Sequence, residues 1–209
     1  MEILDQISDF IQQGNMDEVA RLTNSTIEQN ISPQDIIDKG LVSGMGIIGE
    51  KFKNNEVFVP EMLIAARAMN KALEILEPEM INADIKSAGT LVIGSVEGDL
   101  HDIGKNLVGI MFKGAGFKII DLGVDVSADR FIKTAKENTA DFIGLSALLT
   151  TTMTNMEDTI KGLKAENLSI KVLVGGAPLT EKFAREIEAD GYAPDAASAV
   201  GVARSLLTS

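Results

Sequence analysis

The chain has 209 residues, no cysteine and one histidine, and its formal net charge is -12. This length can form one large or two smaller domains with a buried core, and the lack of cysteine excludes disulfides, iron–sulfur clusters, thiolate metal sites and cysteine nucleophiles. The acidic charge opposes nonspecific binding to nucleic acid or anionic membranes, and the scarcity of aromatic residues opposes stacking on bases.

The first residues, MEILDQISDFIQQG, form an acidic, amphipathic segment. They have neither the basic start nor the apolar centre of a signal peptide. No apolar run approaches the length needed to cross a membrane. We therefore expect a cytoplasmic protein.

Apolar residues recur at helical spacing through the first third of the chain and predict a four-helix bundle. The first two helices are predicted at 2–13 and 17–30. The third begins at Ser32, which can cap the helix, followed by Pro33 in the first turn. The fourth begins at Pro60. One apolar stripe is predicted along this fourth helix, formed by Met62, Leu63, Ala66, Met69 and Leu73.

From residue 89 onward, short β-rich runs alternate with helical segments, which predicts a parallel sheet with right-handed crossovers. The predicted strands are 90–96, 118–122, 141–146, 171–176 and 191–193. The predicted helices between and after them are 103–114, 128–138, 153–166, 180–189 and 196–207. Five strands in this length favour an α/β, flavodoxin-like (Rossmann-type) domain. We thus predict a helical domain at 1–88, ending in a linker at 80–88, and an α/β domain at 89–209.

Ligands of such sheets bind beyond the carboxyl ends of the strands. Three polar or glycine-rich loops fall there in this chain, at 97–106, 146–152 and 175–178. If the strand order is 2-1-3-4-5, the strands before these loops are neighbours. The three loops would then line one crevice.

His101 lies in the first of these loops. A lone histidine is more often an ordinary polar loop residue than a ligand. Asp99, however, stands two residues before it, where a carboxylate can accept a proton from one imidazole nitrogen while the other faces a metal. Asp102 is a competing carboxylate, although its place as a helix N-cap already explains it. A single imidazole cannot hold a free ion, so any metal would have to arrive coordinated by a macrocycle.

The glycines and hydroxyls of the three loops have simpler explanations as well. Gly98 and Gly104 could serve a tight turn, as could the pair Gly175-Gly176, and the threonines at 150–152 could cap a helix. No G-x-G-x-x-G follows the first strand, and no Lys-Ser/Thr of a P-loop follows Gly104. Ordinary nucleotide binding is therefore disfavoured.

Together, the three loops resemble the cobalamin-binding domain shared by methionine synthase, the B12-dependent mutases and small corrinoid proteins. The pattern D-x-H-x-x-G, S-x-L and G-G stands here at 99–104, 146–148 and 175–176, with 41 and 26 residues between the parts. The resemblance covers the whole chain, because the first half resembles the helical cap of methyl-carrying members.

The resemblance implies that cobalamin (methylcobalamin or a related corrinoid) binds with its own lower base detached. His101 would be the metal ligand to cobalt, Asp99 would hold the imidazole, and Thr152 would complete this catalytic triad where methionine synthase has a serine. Ser146 and Thr150 would hydrogen-bond the cofactor's nucleotide tail. The implied cofactor-binding residues are Gly98, Asp99, Leu100, His101, Asp102, Ile103, Gly104, Ser146, Leu148, Thr150, Thr152, Gly175, Gly176, Ala177, Tyr192, Ala193 and Asp195, with Met45, Val59 and Met62 from the cap.

The function implied is that of a methyl carrier in one-carbon metabolism. A substrate:corrinoid methyltransferase would load the cobalt, a second methyltransferase would pass the methyl group to tetrahydrofolate or a thiol, and a reductive activator would be a further partner. The chain would not complete this cycle alone, because it has neither a substrate-activating zinc site nor room for a catalytic barrel. Two alternatives remain open, a B12-dependent sensor or regulator and the small subunit of an adenosylcobalamin mutase. The acidic charge opposes a DNA-binding sensor, and a mutase subunit would not need a methyl-protecting cap.

Overall fold

In the computed structural model, which describes residues 2–82 and 87–208, the chain divides into two compact units. The helical unit comprises residues 1–87 and 114–116, and the α/β unit comprises residues 88–113 and 117–209. The elements of the helical unit are α1 (Ile3–Gln13), α2 (Met16–Glu28), α3 (Pro33–Asp35), a π-helical segment (Ile36–Val42), α4 (Ser43–Lys53) and α5 (Val59–Asn82).

The ends of the first helices follow from local sequence. Gly14 ends α1 in the left-handed conformation, with φ of 67°, which glycine adopts without a steric penalty. The hydroxyl of Ser32 accepts a hydrogen bond from the Asp35 N–H and so caps α3, with Pro33 in the first turn. The third predicted helix is divided, because a π-helical segment joins α3 to α4.

The buried stripe of α5 differs from the predicted one. Met62 and Met69 face the core as predicted, but Leu63 is exposed. Three alanines and Leu76 take the remaining buried places, and the buried residues of α5 are Met62, Ala65, Ala68, Met69, Ala72 and Leu76. Small inward side chains suit the packing of α5 against α2. The predicted stripe was therefore wrong at Leu63, whereas Ala66 and Leu73 are half-buried.

The predicted linker at 80–88 begins too early, because α5 continues to Asn82. Pro78 lies inside this helix. Residues 83–86 of the predicted linker lie outside the described residues. Nothing between 2 and 82 or between 87 and 208 forms a helix long and apolar enough to span a membrane.

The α/β unit contains the predicted five-stranded parallel sheet, and its order, β2-β1-β3-β4-β5, is the one assumed above for a crevice between the three loops. Its elements are β1 (Thr90–Ser95), α6 (Ile103–Gly114), β2 (Lys118–Asp121), α7 (Ala128–Glu137), β3 (Phe142–Ser146), α8 (Met156–Ala165), β4 (Lys171–Gly175), α9 (Glu181–Glu186), β5 (Gly191–Tyr192) and α10 (Ala196–Leu207). A 3-10 turn at Met153–Asn155 precedes α8, and α9 is shorter than predicted.

One face of this sheet is closely packed. Side chains alternate between the faces of a strand, so Val92, Ile143 and Val172 share a face. They form a hydrophobic core with residues of α7, α8 and α9, including Phe131, Ile132, Met156, Ile160, Leu163 and Ala184. The functional loops lie at the carboxyl edge of the sheet that this core supports.

The helical unit gives a matched pair of glycine substitutions on α4. A Cβ at Gly44 would lie 2.8 Å from both Ile11 Cβ and Ser8 O of α1, whereas a Cβ at the exposed Gly46 would meet nothing within 4 Å. We expect Gly44→Ala to lower the free energy of unfolding by about 1–3 kcal/mol. Gly46→Ala should raise it by up to about 1 kcal/mol. Urea unfolding measures both, and a shift of both variants in the same direction would contradict this packing.

Candidate functional site

Asp99 lies in the turn after β1, and its carboxylate is fully buried. Oδ1 accepts a hydrogen bond from the His101 backbone N–H at 3.0 Å and lies 2.9 Å from His101 Nδ1. Oδ2 accepts from the Leu148 backbone N–H at 2.8 Å and from the Thr152 hydroxyl at 2.6 Å. One carboxylate therefore joins the loop after β1 to the loop after β3.

These contacts govern the ionisation of Asp99. Burial alone would raise the pKa of its carboxyl. Hydrogen bonds from Thr152, Leu148 and His101 outweigh burial and hold this pKa well below its usual range. The site therefore contains a carboxylate that stays ionised at neutral pH.

His101 is held at three of its polar groups. Asp99 holds its backbone N–H and Nδ1, and the buried Ser95 hydroxyl donates to its carbonyl oxygen at 2.5 Å. An ionised carboxylate beside Nδ1 favours the tautomer that carries the proton there, which leaves the lone pair on Nε2. The side chain is 50% exposed, and no residue in the described ranges bonds Nε2. One imidazole nitrogen is therefore free to bind a metal.

The loop after β1 is braced from two more directions. Asp125, in the loop after β2, accepts a hydrogen bond from the Gly98 N–H at 2.7 Å and donates its own N–H to the Asp99 carbonyl at 3.0 Å. Asn155, the last residue of the 3-10 turn before α8, donates its side-chain amide to the Glu97 carbonyl at 2.8 Å. These bonds hold the Asp99–His101 pair on a rigid turn.

A cleft of about 580 Å³ opens beside His101 at the carboxyl edge. Its walls come from α6, from the start of α10, and from the sheet face opposite the packed core. Twelve predicted site residues line it, namely Leu100, His101, Asp102, Ile103, Gly104, Ser146, Leu148, Gly175, Gly176, Ala177, Ala193 and Asp195. The structure thus brings the three loops together around one opening.

Five predicted residues of the α/β unit lie outside the walls of this cleft. Two of them, Asp99 and Thr152, form the buried hydrogen bond described above. Gly98 belongs to the braced turn, and Thr150 is exposed at the surface. Tyr192 pairs with Val174 in the sheet, which turns its side chain to the packed face, where its hydroxyl donates to the Leu179 carbonyl at 3.1 Å. Tyr192, which was predicted to bind the cofactor, therefore lies on the face of the sheet away from the cleft.

The three predicted residues of the helical unit differ in their burial. Met45 and Met62 are buried, which fits core packing as well as any role in binding. Val59 is exposed, and so is the neighbouring Phe58. An apolar surface is therefore present at the start of α5.

The sequence did not point to several residues of the cleft. Leu91, Ile93, Gly144 and Leu173 line it from the sheet. The alternation of side chains along β1 and β3 was a usable signal for them. Lys105, almost completely buried, binds Asp121 Oδ2 at 2.5 Å, and nothing in a single sequence indicates such a distant ion pair.

Gly176 is required by the chain itself. Its φ is 141°, and a Cβ there would lie 1.8 Å from the Ala147 carbonyl oxygen. The loops after β3 and β4 therefore meet at a point that only glycine allows. Gly104, in contrast, is exposed and has open space where a Cβ would be. The described part of the chain therefore does not require a glycine at position 104.

The donor set fits a metal held by a macrocycle. Within 2–82 and 87–208, no group of three or more histidine, cysteine, aspartate or glutamate side chains could hold a metal ion. His101 offers one nitrogen, and the exposed Leu100 and Ile103 provide apolar surface beside it. A planar corrinoid needs one axial nitrogen, an apolar contact surface and space for its tail. The residues present meet these three needs.

Comparison with protein families supports the same cofactor. A model of the B12 binding domain matches residues 89–201, and a second B12 binding domain model matches residues 3–77. The two matches correspond to the α/β part and the helical part of the chain.

Relatives match along nearly the whole chain. A corrinoid protein of Desulfitobacterium hafniense (strain Y51) is 44% identical over 212 residues, covering 99% of this chain and 98% of the relative. Dimethylamine corrinoid protein 2 of Methanosarcina acetivorans is 44% identical over 209 residues, covering 99% and 96%. Among solved structures, the methanol:cobalamin methyltransferase complex MtaBC from Methanosarcina barkeri matches with a TM-score of 0.90 and 29% identity, covering 99% of this chain and 80% of that chain.

The hydroxyl of Thr152 gives a test of the Asp99 network. We expect Thr152→Val to lower the free energy of unfolding by about 1.5–3 kcal/mol, because a buried carboxylate loses a donor. Thr152→Ser keeps the hydroxyl and should cost about 1 kcal/mol for the lost methyl group. Thermal unfolding of the protein without cofactor measures both changes.

The pH dependence of the Thr152→Val difference follows from the lowered pKa of Asp99. A carboxyl whose pKa falls on folding stabilises the native state above its unfolded value of about 4, and this stabilisation is lost as the pH falls toward the folded value. The gap between wild type and Thr152→Val should be full near pH 7 and shrink below about pH 4. A gap that widened with acid would contradict the assignment.

Proposed function

Because this chain belongs to the B12-binding corrinoid proteins of methyltransferase systems, we propose that it carries a methyl group on cobalt between two methyltransferases, with His101 as the lower cobalt ligand. When bound, the corrinoid supplies the cobalt that accepts and releases the methyl group. The observation that carries the proposal is the His101 imidazole, held by buried Asp99 at the mouth of an apolar cleft.

Asp99 fixes which imidazole nitrogen is available. Its ionised carboxylate accepts the Nδ1 proton and keeps the lone pair of Nε2 free for a metal. Thr152 and the Leu148 N–H hold the carboxylate from its other oxygen, so the imidazole has little freedom to turn. A ligand oriented in advance binds with less loss of entropy.

The surface around His101 suits the underside of a corrin ring. Leu100 is 70% exposed and Ile103 is 78% exposed, and both flank the imidazole in sequence. Leu148, exposed in the loop after β3, adds apolar area. Covering these side chains would contribute about 25 cal/mol for each Å² of apolar surface removed from water. Once the cofactor covers Leu100 and Ile103, these side chains no longer expose their apolar surface to water.

The cleft is the proposed site of the cofactor's nucleotide tail. Its opening lies between the three loops that carry His101, Ser146 and Gly175. Ser146 offers a hydroxyl at this opening, and Gly175 lets a ligand approach the backbone of the loop. A tail placed here would leave His101 free to ligate the cobalt.

The relatives support a methylated amine as the methyl donor. Dimethylamine corrinoid protein 2 is 44% identical to this chain, whereas the methanol complex is 29% identical. The acceptor methyltransferase would deliver the methyl group to tetrahydrofolate or a thiol. A reductive activator completes the proposed set of partners.

The proposed function is tested by reconstitution with hydroxocobalamin, reduction, and addition of a dimethylamine-specific methyltransferase. We expect methyl transfer from dimethylamine to the corrinoid held by the protein. Mass spectrometry of the released corrinoid detects the transferred methyl group. Methanol with its own methyltransferase is the comparison. Failure to retain any corrinoid after gel filtration would overturn the proposal.

Asp99→Asn tests the positioning of the imidazole. We expect it to weaken axial ligation by His101 by about 10- to 100-fold, as for other residues that orient metal-bound histidines. The absorbance spectrum of the bound corrinoid reports the ligated fraction. Asp141→Asn is the matched control, because Asp141 also accepts a backbone N–H, that of Thr90 at 2.7 Å, at the opposite edge of the sheet. Equal loss of ligation in both variants would argue against a specific role for Asp99.

A further inference from the structure

Gly144 occupies an unusual position for a glycine. It lies in the middle of β3, the central strand of the sheet, and pairs with Ile93 of β1 and Leu173 of β4. Its φ is not in the left-handed region, so the backbone does not require a glycine there. Glycine weakens a strand interior, and its presence there often marks the close approach of a ligand or another backbone.

The missing side chain forms part of the cleft. Residues paired across parallel strands point to the same face, so Ile93, Gly144 and Leu173 form one row on the cleft side of the sheet. A Cβ at Gly144 would lie 3.2 Å from Leu91 Cδ1 and 3.3 Å from Ile93 Cγ1. The row is therefore a trough, with large side chains on both sides and bare backbone at its floor.

The trough is deep and closed at its far end. From Ser95 at the carboxyl edge to Leu91 the strand rises by about 13 Å. Phe112, from the end of α6, lines this far end. Its ring contacts Phe117, with ring centres 5.0 Å apart, and Phe117 contacts Phe142 at the start of β3. The end wall is thus aromatic and buried.

Polar and apolar side chains are separated along the cleft. The polar ones, including His101, Asp102, Ser146 and Asp195, belong to the loops and helix starts at the carboxyl edge. The side chains along the trough are apolar, namely Leu91, Ile93, Val108, Phe112, Leu173 and Ala199. A polar ring atom placed in the trough would therefore lose its hydrogen bonds to water and find no side-chain partner.

We propose that Gly144 opens this trough to the cofactor's lower base, and that the apolar walls of the trough make the protein selective for corrinoids whose lower base is an apolar benzimidazole rather than adenine. This inference rests on the proposed function, because it assumes that the nucleotide tail enters the cleft. The carbocyclic edge of a benzimidazole is apolar and would lose no hydrogen bond if it lay against Leu173 and Phe112. Adenine would bury an amino group and additional ring nitrogens there.

The test compares the binding of three corrinoids by equilibrium dialysis: cobalamin, its analogue with adenine as the lower base, and cobinamide, which lacks the nucleotide. The variants are Gly144→Ala and the matched control Ile143→Val. Ile143 directly precedes Gly144 in β3, and its side chain points to the packed face of the sheet. Ala199→Leu, on α10, would fill the same trough from the helix side. It is a second test of the trough that does not depend on the folding of Gly144→Ala. Thermal unfolding without cofactor reports the stability of each variant.

For wild type we expect adenine to weaken binding by roughly 10- to 100-fold relative to cobalamin, because buried polar groups lose their partners. Gly144→Ala and Ala199→Leu should lower the ratio of cobalamin affinity to cobinamide affinity by about 10-fold or more. The added side chain would displace the lower base and so remove a few of its apolar contacts. Ile143→Val should leave that ratio unchanged.

An unchanged ratio in the folded Gly144→Ala and Ala199→Leu variants would overturn the role of the trough. Equal affinity of wild type for cobalamin and its adenine analogue would overturn the proposed selectivity. If wild type bound neither cobalamin nor cobinamide, the proposed function itself would be contradicted. Normal cobinamide binding therefore separates failure of this inference from failure of the proposed function.

Discussion

A carboxylate that no water reaches must find its hydrogen-bond donors within the protein, and Asp99 takes them from two loops. His101 donates from its own loop, and Leu148 and Thr152 donate from the loop after β3. The backbone carbonyl of Asp99 also accepts from Asp125, in the loop after β2. Leaving any of these groups unpaired would cost free energy, so the loops have one favourable arrangement. The position of the imidazole follows from that arrangement.

The sheet that carries these loops uses its two faces differently. One face is filled by α7, α8 and α9 with large side chains such as Phe131, and provides most of the rigid packing. The other face has Gly144 in the central strand and Gly175 at the rim, and it retains a cleft. Parallel strands bring residues of equal register to one face, so a few small residues in adjacent rows are enough to open a groove. Stability and binding are thus provided by opposite sides of the same strands.

Much of this organisation could be predicted from the sequence. Periodicity and turn residues located α6 and α10 to the residue, and the strand order is the one assumed for a flavodoxin-like sheet. The loops that line the cleft were predicted because ligands bind at the carboxyl edge. The methyl-carrying family was indicated by three short motifs in the correct order. These features depend on local sequence or on general rules of chain topology.

Other features depend on contacts that a single sequence does not encode. The π-helical segment at Ile36–Val42 has the same apolar composition as the helices around it. Tyr192 faces the packed core because of its register with Val174, and a two-residue strand gives no periodicity from which to predict that. The Ser95 hydroxyl donates to the carbonyl of His101, six residues later. In the sequence alone, Ser95 is indistinguishable from an ordinary strand residue. Pairing across space decides each of these cases.

The most direct measurement uses the fact that His101 is the only histidine in the chain. Growth on histidine labelled with nitrogen-15 labels this imidazole alone. The protein is then reconstituted with cobalamin, reduced to cobalt(II), and studied by electron paramagnetic resonance. If His101 is the lower ligand, the nitrogen splitting of the cobalt signal should change from a triplet in unlabelled protein to a doublet in labelled protein. A triplet that persists in labelled protein, or no nitrogen splitting in either sample, would contradict ligation by His101.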